Sequence, residues 1–203
     1  MINKLLKFLI IFFIKFFPKK NNLNNLENLN FRKRDFSNYK KIKLFFFKTN
    51  FTKNNKEPIV YNFDFLNYGS VIGGKKGIQI GKKNLLSWYK NNKFIFNKFW
   101  KSKIVANRII NLIYNFEFIN SISSSYEEKT LKKIIIEHIY RLNIELYFKN
   151  NENLNIVELK AYILTNFILN KKYIKYEKIF ETIINNQLDN MFIDRSYNLL
   201  EHA

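Results

Sequence analysis

The stretch FWKSKIVANRIINLIYNFEFI, from Phe99 to Ile119, decides the fold. Its apolar residues recur at the three- and four-residue spacing of an amphipathic helix, which is predicted to begin near Ser102 and to end at Ile119. Arg108 lies among these apolar residues, so it is predicted either to bind an acidic group of a ligand or to pair with a buried acid or a helix end. The predicted buried face consists of Ile104, Val105, Ile109, Leu112, Ile113 and Phe116.

Four further segments have the same period, and with the first they predict a mainly α-helical chain. They cover residues 82–97, Ser125 to Phe148, Asn155 to Leu169 and Tyr173 to Leu188. Two of these helix starts are marked by capping boxes, formed by the pairs Ser125–Glu128 and Asn155–Glu158. The connections are short, so neighbouring helices should run antiparallel. Residues 82–203 are therefore predicted to form an array of helical hairpins.

Residues 1–20 are predicted to form a separate apolar and basic helix. The run LLKFLIIFFIKFF at 5–17 is too short to span a bilayer, and lysines flank it on both sides. It fits an anchor on a membrane surface or a helix docked on the protein. A cleaved signal peptide is a third alternative, although no small-residue cleavage site follows.

Residues 21–81 are predicted to be an irregular, basic segment. Alternating residues favour a short strand at 42–47, and residues 59–68 are predicted to be an aromatic, extended or mixed segment. All five glycines lie between Gly69 and Gly81. Their spacing fits neither of the usual phosphate-binding motifs, so a flexible loop is predicted there.

The net charge of +19 raises the question of an anionic partner. Residues 1–57 hold 14 basic and 3 acidic side chains, whereas residues 58–203 hold 21 and 13. Nearly all of the basic residues are lysines accompanied by many Asn, Ile and Phe, as AT-rich codons would produce in any protein. A nucleic-acid partner would require one clustered basic face, and the charge pattern therefore argues against it. The chain has no cysteine, which excludes disulfides and thiolate metal sites.

Residues 63–200 resemble the N-terminal helical domain of heparinase II/III-like polysaccharide lyases. The resemblance rests on four blocks that occur in the family's order and at its helix spacings. They are FDFL at 63–66, SWYKNN at 87–92, WKSKIVANRIINL at 100–112 and QLDNMFIDRS at 187–196. The family fold implies an incomplete α/α toroid of antiparallel helix pairs. In full-length relatives further helices and a large β-sandwich domain follow, so the sequence is predicted to be a truncated, split or degenerate member.

The resemblance implies a relation to β-elimination of uronate-containing polysaccharides, with weak or no activity for this chain alone. Asn153 matches the family's catalytic Asn, but Leu154 stands where the family has His. Leu199 and Leu200 fall on the family's Tyr and His positions, so Tyr197 is the substitute acid or base. The resemblance places Arg108 and Arg195 at the substrate. A separately encoded β-sandwich domain would be the partner, in the periplasm or cell envelope, with the cytoplasm as the alternative.

Other interpretations of the same residues remain open. Arg195 also fits an ordinary ion pair with Asp194, and His138 fits a hydrogen-bonded structural residue in its helix. The two histidines lie too far apart for metal-ligand spacing, so neither a metal nor another cofactor is expected. The alternative function is a non-catalytic, basic helical binding module for anionic polymers, either glycan or nucleic acid. A membrane-surface accessory protein held by residues 1–17 is the third hypothesis.

Overall fold

The computed structural model describes residues 23, 26, 58–92, 100–149 and 154–169. Of these described residues 83% are helical and none belongs to a strand, which confirms the mainly α-helical class. The predicted N-terminal helix, the strand at 42–47 and the helix at 173–188 lie outside the described residues. The helices are α1 (Pro58–Tyr61), α2 (Phe65–Ile72), α3 (Gly74–Asn92), α4 (Ser102–Tyr114), α5 (Phe116–Asn120), α6 (Ser125–Tyr147) and α7 (Ile156–Ile168).

Helix α4 lies at the centre of the described helices. It packs most extensively against α6 and α7, and it also contacts α2 and α5. The helix ends at Tyr114 instead of Ile119, because the backbone leaves helical geometry at Asn115 and α5 then begins. Its predicted apolar face is confirmed except that Ile104 is only half-buried. The buried members of that face are Val105, Ile109, Leu112, Ile113 and, in α5, Phe116.

The predicted glycine-rich loop at 69–81 is wrong, because all of these residues except Gly73 belong to α2 or α3. The chain turns at Gly73 and at Gly74, the first residue of α3, and their φ angles of 68° and 60° favour glycine. Gly77 allows α2 and α3 to approach closely, since a Cβ atom there would lie 2.7 Å from the carbonyl oxygen of Gly69. The segment at 59–68, predicted to be extended or mixed, consists of α1, a turn and the start of α2.

A buried network of amide side chains fastens α2 and the turn before it to α4. Asn111 donates to the carboxylate of Asp64 at 2.8 Å and to the backbone oxygen of Asn62 at 3.0 Å. Asn67 donates to Asn111 Oδ1 at 2.9 Å, and Asn115 donates to Asn67 Oδ1 at 2.8 Å. Because buried amides are costly unless hydrogen-bonded, this network fixes α2 in one position on α4.

Helix α6 begins at Ser125 as predicted, but its N-cap is Ser124, one residue before the predicted cap. Its capping box pairs Ser124 with Glu127, each side chain accepting a hydrogen bond from the other's backbone N–H. The sequence SSSYEE satisfies the capping pattern in two registers, which is why Ser125 with Glu128 was an equally good match. The helical period predicts a buried stripe of α6, and the structure confirms it by burying all five of its residues, Leu131, Ile135, Ile139, Leu142 and Leu146.

Helix α7 begins as predicted, with Asn155 and Glu158 forming its capping box. Glu158 is 0% exposed and also accepts two hydrogen bonds from Lys149 Nζ, at 2.8 and 2.6 Å. The helical period predicts a buried face of α7 at Leu159, Ile163 and Phe167, and this prediction is partly wrong, because Leu159 is buried, Ile163 is half-buried and Phe167 is 49% exposed. Glu158 is buried at the start of the helix, and Ala161, Thr165 and Ile168 lie on the same buried side of α7.

Candidate functional site

One face of α3 carries exposed lysines at regular spacing. Lys76, Lys83 and Lys90 are separated by seven residues each, and all three are exposed. Seven residues are close to two helical turns, so these side chains project from the same side of the helix. We call this surface the lysine face. Gln79 and Ser87, which lie between the lysines on the same side, are exposed as well.

The opposite side of α3 explains why the lysine face points outward. Its buried residues include Ile78, Leu85 and Trp88, which fall on the far side of the helix from Lys83. The helix contains five lysines and no acidic residue. The face therefore has no neutralising carboxylate within its own helix.

An open depression of about 490 Å³ lies beside the lysine face. Within it Lys82 donates to Glu127 Oε2 at 2.9 Å and to Ser123 Oγ at 3.2 Å. A hydrogen bond from the Ser124 backbone N–H and then the Lys82 ammonium lower the pKa of Glu127. Lys82 is thus already paired, so the charge available here comes from Lys83. The depression is lined by Gln79, Lys82, Lys83, Leu86, Ile122 and Glu127.

A second polar cluster is buried in the core around Arg108. The guanidinium carbon of Arg108 lies 4.1 Å from the ring centre of Trp88, 5.1 Å from that of Phe63 and 5.3 Å from that of Trp100. We call these three rings the aromatic cage. Arg108 Nε also donates a hydrogen bond to the backbone oxygen of Tyr61. The faces of aromatic rings attract cations, so the cage stabilises part of the buried charge.

The charge on Arg108 has no acidic partner within the described part of the chain. Its side chain is 0% exposed, and its Nη1 and Nη2 atoms make no hydrogen bond. Burial lowers the pKa of the guanidinium well below its ordinary value. The predicted pairing of Arg108 with a buried acid or a helix end is therefore replaced by a backbone carbonyl and three aromatic rings.

His138 lies against the aromatic cage. Its ring centre is 4.9 Å from that of Trp100 and 5.7 Å from that of Phe63. The Nδ1 atom lies 2.8 Å from the backbone oxygen of Ile134, so Nδ1 carries the proton and donates. Burial, and secondarily the charge of Arg108, lowers the pKa of His138 to about 3. His138 is therefore a neutral, hydrogen-bonded core residue, as its structural interpretation predicted.

Two more polar atoms in this cluster lack partners among the described residues. They are Nε2 of His138 and Nε1 of Trp100. Buried nitrogen atoms without a hydrogen bond are rare in proteins, and each one calls for an explanation. Together with the two free nitrogens of Arg108 they form the largest set of unsatisfied groups in the described core.

The described residues include only one of the four predicted site residues. Arg108 is enclosed by the core, so a polymer on the surface would not reach it without opening the aromatic cage. The predicted contact between Arg108 and substrate is therefore not the role that this geometry supports. Asn153, Tyr197 and Arg195 lie outside the described residues, and their roles stay predictions.

Sequence reasoning missed both the lysine face and the aromatic cage. The spacing of seven residues between Lys76, Lys83 and Lys90 was present in the sequence. The loop predicted at 69–81 hides this spacing, because it removes the N-terminal part of α3 from the predicted helix. The cage could not be predicted, because it joins residues from three separate segments.

The fold and these two sites define a mainly helical protein with a basic outer face and a caged arginine. Comparison of the chain with protein-family models, with curated proteins and with solved structures gives no match. The resemblance to heparinase II/III-like lyases therefore stays a prediction. In the part of the chain that the structure describes, no helix is long and apolar enough to cross a membrane. The same residues contain no group of three or more potential metal ligands.

Proposed function

We propose that this chain is a non-catalytic binding module for an anionic polysaccharide, with the lysine face as its contact surface. The observation that carries the proposal is the exposure of Lys76, Lys83 and Lys90 along one side of a helix without acidic residues. A clustered face of this kind distinguishes a binding surface from the diffuse lysine excess that composition alone would produce.

The geometry of the lysine face suits an extended polymer. At a rise of 1.5 Å per residue, neighbouring lysines of the face are about 10.5 Å apart, and the three span about 21 Å. A chain that carries negative groups at regular intervals would contact all three at once. Simultaneous contacts on one polymer raise the overall affinity far above that of a single ion pair.

The choice of a polysaccharide rests on the resemblance to heparinase II/III-like lyases. The lysine face itself suits carboxylates, sulfates and phosphates alike, because lysine binds each of them as a compact point charge. The described residues contain two arginines, of which Arg108 is enclosed and Arg141 is paired with Glu145 at 2.6 Å, so neither adds a bidentate contact to this face.

The decisive experiment measures the affinity of the full chain for a polyuronate and for single-stranded and duplex DNA of similar charge. We expect the polyuronate to bind more tightly at equal ionic strength, and binding to weaken as salt is raised. Replacing Lys76, Lys83 and Lys90 together by Gln should weaken binding about tenfold, because three exposed ion pairs contribute roughly 0.5 kcal/mol each.

A matched control removes the same charge elsewhere. Lys103, Lys129 and Lys133 are also exposed, and they belong to α4 and α6. Their triple replacement by Gln should leave the affinity within about twofold of the parent protein, because long-range effects of exposed charges are screened. Equal losses in the two variants would refute the lysine face as the contact surface. Tighter binding of either DNA would instead assign the face to nucleic acid.

The lyase relationship is tested separately, since it rests on the resemblance. The toroid arrangement and the catalytic roles of Asn153 and Tyr197 belong to this prediction. Formation of the unsaturated uronate product is followed by ultraviolet absorbance, with and without a protein encoded immediately downstream. Product formed only with a downstream β-sandwich partner would favour a split enzyme. Binding without product would favour the binding module.

A further inference from the structure

We propose that the open depression beside the lysine face holds one hydroxylated sugar ring of the bound polymer. The anionic group of that ring pairs with Lys83, and its hydroxyl groups donate to Glu127. Its apolar C–H face packs on Leu86 and Ile122. The inference rests on the proposed function, because the rest of the polymer follows the lysine face. Three features of the depression support it, namely its walls, its charges and its apolar surface.

Two parts of the chain form the walls of the depression. On one side Gln79, Lys83 and Leu86 project from the same side of α3, because they are separated by four and three residues. On the other side Ile122 lies in the connection between α5 and α6, and Glu127 lies in the first turn of α6. The volume of about 490 Å³ is within the range of about 300 to 1,000 Å³ that is usual for small-ligand sites. Because the depression is open, a polymer can continue beyond the ring that it holds.

Lys82 fixes these two walls relative to each other. Its side chain is buried, and its ammonium group donates to Glu127 Oε2 at 2.9 Å, to Ser123 Oγ at 3.2 Å and to the Ile122 backbone oxygen at 3.4 Å. An ammonium group has three N–H bonds, so these three contacts satisfy it. Because the connection before α6 is held in this way without a ligand, binding requires little ordering of the protein there.

Two groups of opposite charge remain for a ligand. Lys83 is exposed, and it forms no ion pair with the described residues. Glu127 is ionised, because a hydrogen bond from the Ser124 backbone N–H and then the Lys82 ammonium lower the pKa of its carboxyl group. Both of these donors bind Oε2, so Oε1 stays available on the side of the ligand. An ionised carboxylate accepts hydrogen bonds from hydroxyl groups and repels a second anion. The depression therefore suits a ring that carries one anionic group and several hydroxyl groups.

The apolar surface of the depression gives the ring a further contact. Ile122 is 41% exposed, and Leu86 is half-buried. A sugar ring carries C–H groups on its faces, and packing them on these two side chains removes apolar surface from water. A linear polyanion without rings has no such face, so it would contact Lys83 without covering the apolar surface. The depression thus distinguishes a polysaccharide from other polyanions that the lysine face attracts.

The test compares a polyuronate with poly-L-glutamate, a linear polymer that carries carboxylates but no sugar rings and no hydroxyl groups. Binding of each polymer to the full chain is measured by titration calorimetry at equal ionic strength. Gln79→Ala and Ile122→Ala are combined in one variant, because both side chains line the depression and both are exposed. The variant loses an apolar contact and an amide hydrogen bond to the ring, so we expect it to bind the polyuronate about fivefold more weakly. Its affinity for poly-L-glutamate should stay within about twofold of the parent protein.

Tyr147→Ala is the matched control. It removes another exposed side chain, about 30 Å along α6 from Glu127, and should leave both affinities within about twofold of the parent protein. Equal losses for the two polymers in the double variant, or no loss for the polyuronate, would overturn the placement of the ring and leave the lysine face as the contact surface. A parent protein that binds neither polymer would overturn the proposed function, and this inference with it.

Discussion

Arg108 shows how one residue can be placed correctly by sequence and still be assigned the wrong partners. The helical period of α4 predicts that its side chain points among apolar residues, and the structure buries it completely. The sequence predicts that Arg108 binds an acidic group of a ligand, a buried acid or a helix end. The actual neighbours, Phe63, Trp88 and Trp100, come from three segments. These three rings come together only through tertiary packing, which a local sequence pattern does not predict.

His138 should make the protein less stable in mild acid. Its pKa is lowered from 6.5 to about 3 in the folded state, so the unfolded chain binds a proton more readily between these values. The contribution of His138 to the free energy of unfolding is therefore fully present above pH 6.5 and is lost as the pH falls toward 3. Between pH 7 and pH 5 we expect the free energy of unfolding to drop by about 2 kcal/mol.

Urea unfolding at these two pH values measures the drop, and His138→Gln is the reference. Gln keeps an N–H for the Ile134 oxygen but does not titrate. The second histidine, His202, is present in both proteins, so its contribution cancels in the comparison. The same drop in the variant would contradict the assignment to His138.

At the scale of the helix, the sequence offers two possible capping boxes for α6, Ser124 with Glu127 and Ser125 with Glu128. The structure assigns the cap to Ser124, whose Oγ accepts from the Glu127 N–H. Ser124→Ala should lower the free energy of unfolding by about 1 kcal/mol, because one of the first N–H groups loses its acceptor. Ser125→Ala should change it by less than about 0.5 kcal/mol, as at most surface positions. Urea unfolding of both variants decides the register, and the opposite order would restore the sequence prediction.

The contact between α2 and α3 predicts opposite effects for two glycines of the same helix. Gly77→Ala would place Cβ 2.7 Å from the backbone oxygen of Gly69, so the helices must move apart. We expect a loss of about 1 to 3 kcal/mol. At Gly81 the nearest atom would be Leu66 Cδ2 at 3.8 Å, an ordinary contact. Gly81→Ala should therefore gain up to about 1 kcal/mol from helix propensity.

Thermal unfolding of the two glycine variants tests this contact. The melting temperature should fall for Gly77→Ala and stay level or rise for Gly81→Ala. Two changes of the same sign would mean that helix propensity, and not the spacing of the two helices, governs both positions.

For the whole molecule, the sequence predicted the helical class, the face of α4 and the stripe of α6, because these depend on local periodicity. It failed where glycine has a packing role, since Gly77 lies inside a helix for the sake of its neighbour. It also failed for the inner face of α7, because the buried carboxylate of Glu158 and its partner Lys149 outweigh the apolar pattern. The sequence also did not predict which helices are neighbours in space, since α4 contacts α5, α6 and α7, which follow it, and α2, which precedes it.

Phe63 combines a strained backbone conformation with a ring that packs against the buried guanidinium of Arg108. Its φ of 66° lies in the left-handed region, which costs a bulky residue roughly 1 to 3 kcal/mol. Relaxing that turn would return this energy and lift one ring from the guanidinium. The strain therefore lowers the cost of opening the corner between α1 and α2, and we expect its amide protons to exchange with solvent before those of α4.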